Sequence, residues 1–258
     1  MPIDSTGVGY SDHTSEKQEA FAALVSVHLQ MAWGAAVKYQ NPRYYYFDLS
    51  AGPGCHDRYG DGSPLLFCAA AERMADKQPA FKYSALMVDR NAQNVARLQR
   101  ELDARRYYNA AAVCEEAGKV LRQYAVGRYG TSFGLFYLDP TLPADMPWRE
   151  LAYCSQFWKR ADILIHVPAA SFKRVQHLDG RQPLREHLAS IDKTRMCIME
   201  PADKHQWTFF YLTNGKPLVW KKRGFHDVDS RTGQRIWDVL TKTANERRND
   251  GYSQPRLF

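Results

Sequence analysis

The feature that most constrains this chain is its alternation of short apolar segments with longer segments of helical periodicity. Residues 133–138 and 162–167 are apolar at most positions, as strands buried on both faces are. Residues 43–50, 82–89 and 110–114 also have strand composition, and helix-like segments separate the five. This order predicts a parallel sheet with helices on both faces, joined by right-handed crossovers.

Helix boundaries are predicted from apolar spacing and from residues typical of helix ends. A leading helix is expected over residues 14–37. Ser63 and Pro64 predict the N-cap and first position of the next helix, and Asn91 predicts the N-cap of a third. Further helices are expected over residues 119–125, 148–158 and 232–243.

The C-terminal part predicts antiparallel pairing. Residues 195–199, 207–212 and 217–221 have strand composition, and Thr213-Asn-Gly-Lys216 is a tight-turn sequence between the last two. The predicted fold is a Rossmann-like, doubly wound, mostly parallel sheet of about seven strands, with an antiparallel hairpin near the C-terminus. We expect one domain over 1–258, in which 1–40 form a leading helical segment and 195–258 a hairpin-plus-helix extension, because single cores grow to roughly 250–300 residues.

Cysteine spacing and hydropathy indicate the cellular compartment in which the protein is found. The five cysteines are scattered without paired spacing, which predicts reduced thiols and no metal site. No run approaches ~20 uninterrupted apolar residues, and residues 1–11 carry no export signal. We therefore expect a cytoplasmic protein that does not contact a membrane.

Charge points towards a polyanionic partner. The formal net charge is +7, and basic residues cluster within 97–106, 221–223 and 247–248. Nucleic acid is a partner that such a surface attracts in a salt-dependent way. The residues predicted to contact it are Lys221, Lys222, Arg223, Phe225 and His226, with Phe225 available for stacking on a base. A solvated basic face is the alternative.

The sharpest site signal is Phe47-Asp-Leu-Ser-Ala-Gly-Pro-Gly54, in which a buried strand ends in an acid and a glycine turn. A dinucleotide site normally adds a third glycine and opens directly into a helix, but here the helix waits until Ser63. The pattern therefore favours a nucleoside with an amino-acid tail, whose ammonium would meet Asp48. A turn used only for chain reversal is the alternative. The predicted cofactor-binding residues of this turn are Asp48, Ser50, Ala51, Gly52 and Gly54.

Acids also follow the next two predicted strands. Asp89 ends the second strand, where a doubly wound fold holds the carboxylate that accepts ribose hydroxyls, and Arg90 is predicted to share that site. Glu115 follows the third strand and is predicted to meet the adenine amino group. A helix N-terminal acid is the alternative for Glu115.

Asp139, Pro140 and Thr141 follow the fourth strand and are the predicted catalytic residues. The Asp139 carboxylate would orient the acceptor atom or take its proton, provided that burial raises its pKa. Methyltransferases that act on base amino groups usually carry proline and an aromatic residue where this chain has Thr141 and Leu142. His166 ends another strand at the same edge; it is interpreted either as a proton shuttle or, more ordinarily, as a satisfied core or cleft-rim histidine.

Five stretches together resemble the three-Cys-motif partner protein family, a methyltransferase-like group of bacteria and phages. They are 46–54, Gly62-Ser-Pro-Leu65, Met87-Val-Asp89, Tyr137-Leu-Asp-Pro140 and Arg223-Gly-Phe-His226. The chain departs from the family pattern at Ser50, at Cys55-His56 and at Thr141. The resemblance implies a class I fold, S-adenosylmethionine at the glycine turn, an association with phage or mobile-element nucleic acid, and a neighbouring radical enzyme with three cysteines as a candidate partner.

These observations lead to one expectation and two alternatives. The expectation is an S-adenosylmethionine-dependent methyltransferase acting on nucleic acid or a substrate derived from it. The first alternative is an accessory protein that keeps the fold but transfers no methyl group, which Thr141-Leu142 favours. The second is a nucleotide- or nicotinamide-using enzyme, which the missing third glycine disfavours.

Overall fold

The computed structural model describes residues 14–39, 43–125, 132–140, 145–169, 184–200, 207–216 and 218–249. Its strands are β1 (Arg43–Asp48), β2 (Cys55–His56), β3 (Gly60–Asp61), β4 (Lys82–Asp89), β5 (Ala110–Cys114), β6 (Phe133–Leu138), β7 (Ala161–Pro168), β8 (Arg195–Met199), β9 (Trp207–Thr213) and β10 (Phe225–Asp227). Its helices are α1 (Thr14–Lys38), α2 (Ser63–Lys77), α3 (Ala92–Ala104), α4 (Ala117–Ala125), α5 (Trp148–Phe157), α6 (Leu184–Ala189), α7 (Leu218–Lys221), α8 (Arg231–Thr241) and α9 (Ala244–Asn249).

Eight of the strands form one sheet in the order β10-β8-β9-β7-β6-β1-β4-β5. β1, β4, β5, β6 and β7 are parallel. β9 runs antiparallel to both of its neighbours, β7 and β8, and β10 runs antiparallel to β8. The predicted fold class is therefore confirmed, with eight strands in place of about seven. β2 and β3 pair separately as a small ribbon.

Two hydrophobic cores lie on the two faces of this sheet. One contains buried residues of α1, α2 and α3, and the other contains buried residues of α4, α5, α6 and α8. β6 and β9 are buried at every position, because helices or neighbouring strands cover both of their faces and both of their edges. This is the three-layer arrangement that the continuous apolar segments predicted.

α1 is held to the sheet by apolar packing and by a buried polar network. Among the described helices, only α1 is long and apolar enough to meet the length and composition of a membrane span. In this structure its inner face belongs to the core instead. His28 Nε2 lies 3.0 Å from Asp162 Oδ2 and His28 Nδ1 lies 2.7 Å from the Tyr44 hydroxyl, while the Tyr211 hydroxyl donates to the same carboxylate. The absence of membrane contact stays a prediction.

Two local predictions are wrong. The segment 217–221 is not a hairpin strand, since it contains the one-turn helix α7; the hairpin is formed by β8 and β9, and β9 has no free edge left for another strand. Ser63 is not the N-cap of α2. Gly62 occupies that position, because the Ser63 hydroxyl donates to Asp48 Oδ2 at 2.7 Å. Asn91 is an N-cap as predicted, and its side chain accepts from the Gln93 amide at 2.8 Å.

Candidate active site

A cavity of about 890 Å³ opens at the carboxyl edge of the parallel strands. It lies at the point where strand order reverses, with β4 on one side of β1 and β6 on the other, which is where doubly wound sheets bind ligands. Its wall is formed by the turn after β1, the ends of β4 to β7, and the first turn of α1. The wall residues that the sequence singled out are Ser50, Ala51, Gly52, Gly54, Asp89, Arg90, Glu115, Asp139, Pro140 and His166.

The turn after β1 is fixed by bonds to both neighbouring strands. The Leu49 amide donates to the Tyr137 carbonyl and the Ala51 amide to the Val88 carbonyl, each at 2.9 Å. Gly52 and Gly54 then adopt φ of +61° and +82°, where a side chain is disfavoured. A Cβ on Gly54 would lie 2.5 Å from Leu98 Cδ1, whereas a Cβ on Gly52 would meet nothing within 4 Å. Gly52 thus presents bare backbone to the cavity.

Asp89 links this turn to the end of β4. Its Oδ2 accepts from the Gly52 amide at 3.0 Å, and its Oδ1 accepts from the Asn91 amide at 2.7 Å and from Asn94 Nδ2 at 3.3 Å. The glycine turn and the ribose-type carboxylate, separate in sequence, are therefore in direct contact. A carboxylate offers about four acceptor positions, so Asp89 retains capacity for one more donor.

Asp48 lies beneath the turn and has no exposed surface. Its carboxylate accepts from the Tyr46 hydroxyl, the Ser50 amide and the Ser63 hydroxyl. Burial raises the pKa of Asp48 to about 7, although those three donors lower it in part. In this position Asp48 fixes the turn from below, and a ligand in the cavity would meet the backbone before it met this carboxylate.

Arg90 and Glu115 lie at the outer side of the cavity. Arg90 Nη2 donates to Asp145 Oδ1 at 2.9 Å, and the Arg90 side chain is 68% exposed. Glu115 pairs with Lys119 of α4, and this hydrogen bond lowers the pKa of Glu115. Both residues line the cavity, and their roles towards a ligand stay predictions.

Asp139 is the centre of a charged cluster at the inner end of the cavity. Lys17 Nζ, from the first turn of α1, donates to Asp139 Oδ2 at 2.7 Å. His166 Nδ1, from β7, lies 2.6 Å from Asp139 Oδ1. Burial raises the pKa of Asp139, but Lys17 and His166 together lower it by more, so the net pKa falls well below the usual range. The condition under which Asp139 would take a proton is therefore not met. Pro140 lines the cavity beside it, and Thr141 lies outside the described residues.

His166 is a buried residue of the cavity wall. Its Nδ1 faces Asp139 Oδ1, but neither ring nitrogen forms a hydrogen bond of acceptable geometry within the described part of the chain; both interpretations of this histidine stay predictions. Burial lowers the pKa of His166, and Lys17 adds to this while Asp139 opposes it. The ring is consequently neutral near pH 7.

The predicted nucleic-acid contacts lie apart from the cavity. Lys221, Lys222 and Arg223 are exposed, and they precede β10, which is four strands away from β6, or about 19 Å at the usual strand spacing. The strand register brings them to the same edge of the sheet as the cavity mouth. Phe225 is 1% exposed and packs in the core, so it could stack on a base only by leaving the core. His226 is half-buried and lies 3.7 Å from Glu200.

Sequence reasoning missed the contribution of α1. Lys17 and Gln18 line the cavity, but a lysine in the first turn of a helix has no local feature that separates it from a solvated one. Only the docking of α1, whose axis runs opposite to the parallel strands, brings Lys17 to Asp139. Asn94 was missed for a similar reason, because its role depends on where α3 begins relative to Asp89.

Comparisons with known proteins bear on the fold. No protein-family model matches the chain, and no curated protein matches its sequence. Among solved structures it is similar to yhhF of Escherichia coli, described as a candidate methyltransferase, with 12% identity and a TM-score of 0.50 over 84% of this chain and 92% of that one. The chain has a methyltransferase fold.

Two other similar structures have lower TM-scores. A methyltransferase from Geobacter sulfurreducens is 13% identical, with a TM-score of 0.42 over 81% of this chain and 92% of that one. An rRNA methylase from Streptococcus thermophilus is 8% identical, with a TM-score of 0.42 over 80% of this chain and 99% of that one. The similarity is one of fold alone, and the resemblance to the three-Cys-motif partner family stays a prediction.

Proposed function

We propose that this protein is an S-adenosylmethionine-dependent methyltransferase that acts on nucleic acid or on a substrate derived from it. The observation that carries the proposal is the cavity at the strand-order reversal, which brings the glycine turn, Asp89, Glu115 and Asp139 to one space. Its volume of about 890 Å³ lies within the range of roughly 300–1,000 Å³ found for small-molecule sites.

The lining fits the parts of this cofactor. Gly52 leaves room for the amino-acid tail to approach the backbone, Asp89 has acceptor capacity for a ribose hydroxyl, and Glu115 lies further out for the adenine. When bound, S-adenosylmethionine supplies a methyl group on a positively charged sulfur. The wall carries six carboxylates against three Lys or Arg side chains, and this balance favours a cation. The carboxylates are those of Asp89, Glu115, Glu116, Asp139, Asp145 and Glu150, and the basic side chains are Lys17, Arg90 and Arg122.

The outer charge has the opposite sign and supports a nucleic-acid acceptor. The chain as a whole carries +7, and the exposed Lys221, Lys222 and Arg223 share the sheet edge on which the cavity opens. A polyanion would be drawn to that edge, while the acidic interior holds the cationic cofactor. The proposal also has four less direct parts. They are membership of the three-Cys-motif partner family, an association with phages or mobile elements, a radical-enzyme partner and a cytoplasmic location.

Calorimetry tests the cofactor. S-adenosylmethionine and S-adenosylhomocysteine titrated into about 100 μM protein, where weak sites still register, should release heat with a stoichiometry of one. Asp89→Asn should weaken binding at least about tenfold, roughly 1.4 kcal/mol. Asp229→Asn is the matched control, because Asp229 is 80% exposed and pairs with Arg185 away from the cavity. No heat with wild type, or equal losses in the two variants, would contradict the proposal.

Methyl transfer is tested separately. Wild-type protein with methyl-labelled S-adenosylmethionine should transfer label to at least one of three pools: total tRNA, ribosomal RNA or genomic DNA. Asp139→Ala should abolish that transfer. Cofactor binding without label in any pool would favour the accessory-protein hypothesis, for which the engagement of both Asp139 oxygens by Lys17 and His166 is the supporting observation.

A further inference from the structure

We propose that His166 Nε2 takes the proton that the acceptor loses on methylation, and that Asp139 and Lys17 are positioning residues that hold the His166 ring for this task. The inference rests on the proposed methyltransferase function. It narrows the substrate to acceptors whose reacting nitrogen or oxygen carries a hydrogen.

The first step is the tautomer of His166. Asp139 Oδ1 lies 2.6 Å from Nδ1, and an ionised carboxylate can only accept hydrogen bonds. Two acceptors at this separation would repel, so Nδ1 carries the ring proton. Nε2 of the neutral ring is then left with a free lone pair, which is the arrangement that a general base needs.

The second step is the environment of Nε2. The His166 side chain is 9% exposed and lines the cavity, yet Nε2 has no hydrogen-bond partner in the described ranges. A buried polar atom without a partner costs about 1–3 kcal/mol, and such atoms in native proteins call for an explanation. Nε2 is covered by its neighbours in this arrangement, so a bound acceptor must displace a neighbouring side chain before its proton donor satisfies Nε2.

Asp139 itself cannot be the base that takes the acceptor's proton. One of its oxygens accepts from Lys17 and the other faces His166, and the Lys17 ammonium holds it in the ionised form. The described charged groups that face His166 are Asp139 from β6 and Lys17 from α1. The neighbouring side of β9 contributes the aromatic rings of Trp207 and Phe209. Tyr137 and Asp48 interact electrostatically with Asp139.

The chemistry defines the acceptor class. As the new bond from the acceptor nitrogen or oxygen to the methyl carbon forms, the carbon–sulfur bond breaks and its electron pair stays on sulfur. The acceptor's proton passes to His166 Nε2 and then to water. An exocyclic amine, a ring N–H or a hydroxyl needs this base. A lone-pair acceptor such as guanine N7 has no proton to lose and would leave Nε2 without a role.

The tautomer can be measured without any acceptor. Nitrogen-15 NMR of histidine-labelled protein, with the His166 signals assigned by their loss in His166→Gln, should show Nδ1 protonated and Nε2 bare at pH 7.5. Lys17→Gln should raise the midpoint of the His166 titration, because a nearby ammonium disfavours the protonated ring. Asp139→Asn should lower it. A proton on Nε2, or a midpoint unmoved in both variants, would overturn the inference.

A second test measures the rates and the products of methyl transfer. On a pool that wild type methylates, His166→Gln should slow single-turnover transfer by about 10²–10⁴-fold with cofactor affinity within about twofold. His187→Gln is the control, since His187 stacks on Trp148 outside the cavity and should leave the rate unchanged. A product methylated at guanine N7, or a His166→Gln rate above about a tenth of wild type, would refute the base. If wild type released no heat on titration with the cofactor, the proposed function would be refuted instead, so the two failures are distinguishable.

Discussion

Adding a methyl group at each of three glycines separates the cost of backbone strain from the loss of the cofactor site. Gly52, Gly54 and Gly60 all have positive φ, at +61°, +82° and +72°. A Cβ in this region costs roughly 1–2 kcal/mol, and the entropy that alanine removes from the unfolded chain returns about 0.4–1 kcal/mol. Gly52→Ala and Gly60→Ala should therefore each lose about 1 kcal/mol of unfolding free energy. For a chain of this length that corresponds to about 2–4 °C in Tm.

The three sites differ in what the new methyl group meets. At Gly60 it points into open solvent at the β2–β3 ribbon, and at Gly52 into the open space of the cavity, with no atom within 4 Å in either case. At Gly54 it would lie 2.5 Å from Leu98 Cδ1, and overpacking adds about 1–3 kcal/mol. Gly54→Ala should consequently be the least stable of the three by urea denaturation.

Only Gly52→Ala should lose the cofactor while staying folded. A methyl group where a ligand approaches the backbone costs about 1–3 kcal/mol as overpacking, so calorimetry should give a Kd for S-adenosylhomocysteine about 5- to 150-fold weaker. Gly60→Ala should bind within about twofold of wild type. If Gly52→Ala bound as tightly as wild type, or if Gly60→Ala lost as much affinity, the glycine turn would not be the cofactor contact.

Three further predictions concern stability and are each measured by urea denaturation. Burial raises the pKa of Asp48 to about 7 in the folded protein, above its unfolded value, so the stability that its protonation supplies is lost as pH rises from about 4 to 7. Relative to Asp48→Asn, which does not titrate, wild type should lose up to a few kcal/mol over that range; a constant difference would contradict this. His28→Leu should cost about 2–5 kcal/mol, because Asp162 and Tyr44 each lose a buried partner at about 1–3 kcal/mol; a loss below 1 kcal/mol would mean that water replaces the imidazole. Asn91→Ala should cost about 1 kcal/mol through the lost N-cap, and an unchanged midpoint would show that this cap is dispensable.

The parallel part of the fold could be predicted from sequence because each of its strands has strand composition and helix-like segments separate them. Residues 82–89, 110–114 and 133–138 are strands over the predicted ranges. The C-terminal part was harder. Thr213-Asn-Gly-Lys216 has the composition of a two-strand turn, but whether residues 217–221 could pair depended on the edge of β9 being free, which is a property of the sheet order and not of those residues.

Some residues of the candidate site could likewise be predicted from sequence, and others could not. Gly52, Asp89 and Asp139 were predictable since each lies at or just after the end of a parallel strand, and parallel strands end at one edge. Lys17 was not, because its place in the cavity depends on the packing of α1 through His28 and Asp162. The protonation state of Asp139 could not be predicted from sequence either, since the ammonium that keeps it ionised comes from that same helix.

The position of β9 has a consequence for how this protein is made. β7 is complete at Pro168, yet the strand that pairs with its outer edge begins at Trp207. A nascent chain must therefore carry an unpaired β7 edge until residue 213 has left the ribosome, and open edges of this kind invite pairing with other chains. The rings of Trp207 and Phe209 reach His166 at that same late stage, so translation stalled before Trp207 would leave a chain with an open strand edge and a His166 ring without these two neighbours.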